Sequence, residues 1–163
     1  MVIACLDTHI LIWGVQGVAN LAQHEMIART KGLLAQLDKD KVRVIVPSIV
    51  IGEFLLGLPI NVQPAYQELV SRRFVVAPYD LRASILFSRV WHQKKSQGEI
   101  EEIKQSGSTR NELRADTMII ATALAAGATH IYGHDRGVKR LSEGFIDFQD
   151  VSQLIVQTTL PNM

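Results

Sequence analysis

Short apolar runs alternate with longer segments of helical spacing along this chain. Residues 2–6 are continuously apolar, the pattern of a strand buried on both faces. Residues 42–46, 74–77, 129–132 and 145–148 are further strand candidates. Between them lie amphipathic stretches. Leu21, Met26, Ile27, Leu33, Leu34 and Leu37 mark a helix over about residues 19–37, in which Gly32 weakens the helical signal. Pro47-Ser48 stops the second strand and starts a helix over 49–58 that is apolar nearly all round and therefore predicted to be buried. Pro59 ends it, and Pro64 suits the first turn of the next helix, 64–72. Asp80 is placed to cap a helix running to about Lys94. The polar stretch 94–109 reads as a helix–helix connection or flap. Thr109 and Glu112 have the form of a capping box opening the helix that runs to Ala126, and 137–141 suggests a short last helix.

Strands alternating with helices imply a parallel sheet covered on both faces, a three-layer α/β/α sandwich of about five strands. Residues 1–150 form the expected domain, with 151–163 as a C-terminal tail. Parallel topology puts every strand's C-terminal end on one edge of the sheet, the edge that holds the site in open α/β folds.

Composition narrows the function classes without choosing one. At 163 residues, 47% hydrophobic and 20% charged, the chain suits a single globular domain. A net charge of +1 argues against a strongly electrostatic binder. Cys5 stands alone, which excludes an internal disulfide and fits a cytoplasmic location. The apolar start is too short for a signal-peptide core before Asp7, and no run is long enough to span a membrane. His9, His24, His92, His130 and His134 lack zinc spacing. Glycine-rich phosphate loops and a G-x-S-x-G elbow are missing, and Asp7-Thr8-His9 lacks the second Asp of an aspartyl-phosphate phosphatase.

The chemistry lies with four acids. Asp7 and Asp135 follow the first and fourth strands, Glu53 sits one turn into the helix leaving the second, and Asp116 sits in the second turn of its helix. Each has a plain structural explanation: a helix cap for Asp7, the helix N-terminal field for Asp116, a turn for Asp135, an ion pair for Glu53. Together they are harder to dismiss, because clustered carboxylates repel unless a cation intervenes. Hard oxygen donors suit Mg²⁺ or Mn²⁺, which activate water and stabilise a leaving oxygen in phosphodiester hydrolysis. Glu112, one turn before Asp116, adds a further like charge. Arg110, Arg114, Arg136, Lys139 and Arg140 flank two of the acids, where they hold backbone phosphates or simply form a solvated helix surface.

The order apolar strand–Asp7-Thr8, Pro47-Ser48 with Glu53 in the next helix, Asp116 before IIATALAAGATHIY, and Asp135 after the strand resembles the PIN domain, and within it the VapC-type toxins of toxin–antitoxin pairs. The resemblance runs from residue 2 to about 148. It implies a metal-dependent endoribonuclease with Asp7, Glu53, Asp116 and Asp135 as catalytic and metal-binding residues, Mg²⁺ or Mn²⁺ as cofactor, and RNA as substrate. Arg114, Arg136, Lys139 and Arg140 are the basic residues expected to bind the nucleic acid. A cognate antitoxin and a homodimer are the implied protein partners. Two positions depart from the family pattern: Gly133 replaces the usual Thr or Ser before the last acid, and Gly137 replaces an acid or His after it. Both are expected to thin the site on the strand-four side. The alternative from a different class is a non-catalytic or degenerate module that keeps the scaffold and binds RNA or protein.

Overall fold

The computed structural model describes residues 1–154, so the remainder of the predicted tail lies outside the described residues. Five strands form the sheet: β1 (Ile3–Leu6), β2 (Arg43–Pro47), β3 (Val75–Ala77), β4 (His130–Gly133) and β5 (Asp147–Asp150). Their order is β3-β2-β1-β4-β5, with every pairing parallel. The alternation of side chains along these strands divides the core in two. Ala4, Leu6, Val44 and Val46 face one cluster, and Cys5, Ile45, Ala77 and Ile131 face the other.

On the first face lie α1 (Thr8–Leu11), a π-helical turn (Ile12–Gln16), α2 (Glu25–Lys39), α3 (Ser48–Leu56) and α4 (Gln63–Arg73). On the second lie α5 (Leu81–Ser96), α6 (Glu99–Gln105) and α8 (Arg136–Ser142). Helix α7 (Arg110–Ala125) serves both, sending Ile119 to the first cluster and Leu113, Ile120 and Ala123 to the second. The α/β/α sandwich is therefore the observed architecture. No described helix is long and apolar enough to cross a membrane.

Local chemistry sets the element boundaries. Asp80 accepts the Ala83 N–H at 2.9 Å to start α5. Thr109 and Glu112 close both bonds of the capping box on α7. That helix stops where Gly127 adopts φ +76° and the Ala128 N–H reaches back to the Ala123 carbonyl at 2.9 Å.

Three expectations need correcting. The polar stretch after Lys94 is not a bare connection, because α5 runs on to Ser96 and α6 follows. Ile100 and Ile103 bury one face of α6, and Glu99, Glu101 and Glu102 favour its N-terminal turn. Two apolar positions in seven give too thin a periodic signal to announce a helix. Strand β5 begins two residues later than the apolar run suggested, at Asp147, and runs two residues further, to Asp150. Helix α3 is not buried all round, since Leu56 is 87% exposed.

Lys94 is the one lysine taken inside among the described buried residues, at 2% exposure. Its Nζ donates to the Glu143 carbonyl at 2.8 Å and the Arg140 carbonyl at 3.3 Å, and pairs with Glu99 at 2.9 Å. It thereby ties the α5–α6 turn to the C-terminal end of α8, the helix that Asp135 starts.

Candidate active site

The strand order reverses direction between β1 and β4, and the crevice outside such a switch point is where open α/β sheets bind ligands. Asp7 leaves β1 there, its backbone N–H bonded to the Tyr132 carbonyl of β4 at 3.0 Å. Its side chain also caps α1, with Oδ1 accepting the Thr8 N–H at 2.7 Å. The cap explanation accounts for Oδ1 alone. Oδ2 is buried and has no hydrogen-bond partner.

The other acids arrive from separate elements. Glu53, on α3, accepts the Thr8 hydroxyl at 2.5 Å, which fixes it beside the start of α1. Asp135 caps α8 through the Val138 N–H at 3.0 Å. Asp116 projects from α7, half-buried. Its position is given away by a glycine: a Cβ on Gly137 would collide with Asp116 Oδ2 and stand 3.1 Å from Asp135 Oδ1. The backbone of α8 therefore passes directly between two carboxylates.

Gly133 does the same on the other side. A Cβ there would meet Asp7 Cβ at 2.9 Å and Oδ2 at 3.0 Å. Both glycines also make room at these positions, by letting carboxylates pack against bare backbone. Gly137→Ala is accordingly expected to displace Asp116 and to lower any Asp116-dependent activity or Mn²⁺ affinity at least tenfold, about 1.4 kcal/mol. Unchanged Mn²⁺ binding in a folded Gly137→Ala protein contradicts this.

Electrostatics couples all four acids. Burial, opposed by the Thr8 N–H and reinforced by Asp135 and Glu53, pushes the Asp7 carboxyl up to about 7. Asp116 is pushed up to about 8, first by burial and then by Asp135, Asp7, Glu53 and Glu112. Coupled does not mean in ligating contact: among the described residues, no three His, Cys, Asp or Glu side chains are drawn together closely enough to hold an ion as they stand. The donor set nonetheless fits a hard cation. It consists of carboxylate oxygens alone, includes a buried oxygen with no partner, and contains two carboxyls pushed up by burial and then by the neighbouring acids.

The basic residues are dispersed. Arg136 and Lys139 are exposed on α8. Arg140 pairs with Glu102 of α6 at 2.6 Å, and Arg114 lies over the Trp91 ring at 6.0 Å. Lys139, Ser142, Phe145 and Phe148 line an open concavity of about 470 Å³ between α8 and β5, and none of the four acids lines it.

This crevice lies within a recognised family. The PIN domain model matches residues 4–144, from β1 through α8. The chain belongs to the PIN domain family. Solved structures similar to this PIN domain include VapBC2 from Rickettsia felis bound to a promoter DNA fragment, with a TM-score of 0.65 at 14% identity over 91% of this chain and 98% of that one. DNA-bound VapBC from Salmonella typhimurium gives 0.65 at 18% identity, covering 93% and 99%. VapBC-1 from nontypeable Haemophilus influenzae gives 0.63 at 17%, again over 93% and 99%. At these identities the likeness is one of fold. No curated protein matches the sequence at a significant level.

Sequence reasoning did not find Thr8 as the tether of Glu53, nor the steric role of the two glycines, nor the partner of His134. Thr8 stood in plain view beside Asp7, but nothing local pointed to a residue 45 positions away. His134 bonds Asp150 at 2.9 Å, a partner 16 residues on at the end of the neighbouring strand β5.

Proposed function

We propose that this PIN domain is a divalent-metal-dependent endoribonuclease acting as the toxin of a toxin–antitoxin pair. What supports the reading is that Asp7, Glu53, Asp116 and Asp135 come from four elements into electrostatic reach of one another, with burial and then the neighbouring acids pushing the Asp7 and Asp116 carboxyls up. A bound Mg²⁺ or Mn²⁺ supplies water activation and charge neutralisation at the scissile phosphate. The residues of the chain do the rest. Asp7 offers its unpartnered Oδ2, Asp116 and Asp135 offer oxygens on either side of Gly137, and Glu53, held by Thr8, stands ready to accept a proton or a ligand water. Arg114, Arg136, Lys139 and Arg140 are proposed to position backbone phosphates.

The protein partners belong to the same proposal. The similar solved structures are VapBC assemblies, which supports a cognate antitoxin. Val75 and Val76 on the edge strand β3 and Leu81 and Ile85 at the start of α5 are exposed apolar side chains, which supports a homodimer and a concentration-dependent mass in light scattering. A cytoplasmic location is proposed with the toxin role.

Incubating an RNA panel with the protein, with Mn²⁺ or with EDTA, tests the activity. Cleavage is expected only with metal, and Asp116→Asn is expected to lower it at least a hundredfold. Cleavage that persists in EDTA, or in Asp116→Asn, contradicts the reading. Metal-dependent RNA binding without cleavage indicates instead the non-catalytic module.

A further inference from the structure

Beside the acidic crevice stands a histidine held more firmly than a surface residue needs to be. His134 lies between Gly133 and Asp135 at the C-terminal end of β4. Its Nδ1 is 2.9 Å from Asp150 Oδ1, at the end of the neighbouring strand β5. That same oxygen accepts the Ser152 N–H at 2.9 Å and the Ser152 hydroxyl at 2.7 Å. Asp150 Oδ1 already accepts two bonds from Ser152, so it is an acceptor towards His134 as well, and the matching donor is Nδ1–H.

The ring is also fixed from its faces. It stands edge-on to His9, with centroids 5.9 Å apart and planes at 87°, and tilted against buried Trp13 at 5.4 Å. His9 itself feels Asp135, His134 and Asp150. The imidazole and the acids thus share one neighbourhood. With Nδ1 committed, Nε2 is the remaining polar atom of His134, and it makes no hydrogen bond among the described residues. The side chain is 33% exposed, so a bound strand has access to it.

A histidine whose Nδ1–H is tied to a carboxylate presents a directional group at Nε2, of fixed orientation. In the nuclease reading the cation and the acids take the phosphate, which leaves the sugar next to it for Nε2. We propose that His134, oriented by Asp150, contacts the ribose 2′-hydroxyl of the nucleotide bound over the acidic crevice, and so favours RNA over DNA. The inference rests on the nuclease reading above. His134 is the contact and Asp150 is a positioning residue. The 2′-hydroxyl is the group that lets a protein tell the two nucleic acids apart.

The test measures binding of a fluorescein-labelled mixed-sequence single-stranded RNA and of its deoxy counterpart. Ca²⁺ replaces Mg²⁺ to suppress cleavage, and Mn²⁺ titration is followed in parallel. The wild-type protein is expected to prefer RNA. His134→Ala is expected to lose about three- to tenfold in RNA affinity, the worth of one hydrogen bond, and less than about twofold in DNA affinity. Asp150→Asn is expected to shift the RNA/DNA ratio the same way. His134→Gln, whose amide reaches the place of Nε2, is expected to restore part of it, and it keeps the test open if His134→Ala fails to fold. Mn²⁺ affinity is expected to stay unchanged in all three variants.

Equal losses on RNA and DNA overturn the proposal in favour of a phosphate contact. Loss of Mn²⁺ binding in His134→Ala overturns it in favour of a metal ligand. An unchanged ratio in every variant of a protein that cleaves RNA sinks this proposal alone. A wild-type protein that neither binds nor cleaves RNA removes the nuclease reading and this inference with it.

Discussion

Asp7→Asn is expected to stabilise the metal-free protein at about pH 8 by roughly 2–4 kcal/mol while removing the proposed nuclease activity. Asparagine is as good a helix cap as aspartate, so the bond from the Thr8 N–H survives. What disappears is a charge, on a side chain 2% exposed, whose second oxygen has no partner. In the unfolded chain Asp7 ionises near its ordinary value of 3.8, and in the folded protein only near 7. Between those values the native state keeps a proton that the unfolded state has released. Stability therefore falls as pH rises through that window, and the whole penalty stands above it. The two proteins should melt alike near pH 4 and diverge steadily towards pH 8, with Asp7→Asn the more stable. Saturating Mn²⁺ should raise the melting point of the wild-type protein and close the gap. Asp7→Asn melting below wild type at pH 8 without metal contradicts a strained, cation-seeking carboxylate.

The second large effect lies away from the acids. Lys94→Met is expected to cost about 3–5 kcal/mol, read as a lower midpoint in urea. Methionine refills most of the volume, so the loss reports the polar contacts. Without the ammonium, Glu99 at 24% side-chain exposure has no counter-charge, and the Arg140 and Glu143 carbonyls lose their donor. The neighbouring pair Arg140–Glu102 makes a control, because its side chains are 37% and 63% exposed. Arg140→Ala is expected to change stability by less than about 1 kcal/mol. Since Lys94 anchors the far end of the helix that Asp135 starts, Lys94→Met should also weaken Mn²⁺ binding in the folded fraction. Stability within about 1 kcal/mol of wild type shows instead that the buried pair is no better than apolar packing.

Much of the scaffold was legible because its signals are local. Continuous apolar runs such as residues 2–6 mark strands covered on both faces, and the Thr109–Glu112 capping box marks the start of α7. Alternation of strand and helix then fixed a parallel sheet, and the parallel sheet brought Asp7 and Asp135 to one edge. The α6 helix escaped because it buries only Ile100 and Ile103, and β5 slipped by two residues because Phe145 and Ile146 are half-buried before the strand begins.

What the sequence concealed is everything that depends on distance across the fold. Gly133 and Gly137 looked like losses when weighed as side chains. They also serve as spaces, and only the approach of Asp7, Asp116 and Asp135 to their backbone shows it. Thr8 and Asp150 likewise acquire roles from partners 45 and 16 residues away. A motif names the acids; the packing around them explains why those acids tolerate one another.

The central claim is that the switch-point crevice is a divalent cation site built by these carboxylates. Calorimetric titration of the metal-free protein with Mn²⁺, run in parallel on Asp116→Asn, addresses it most directly. Saturable binding in the wild-type protein, with its affinity reduced at least tenfold in the variant, is the predicted result. Equal binding in both proteins, or no saturable binding in the wild type, contradicts it.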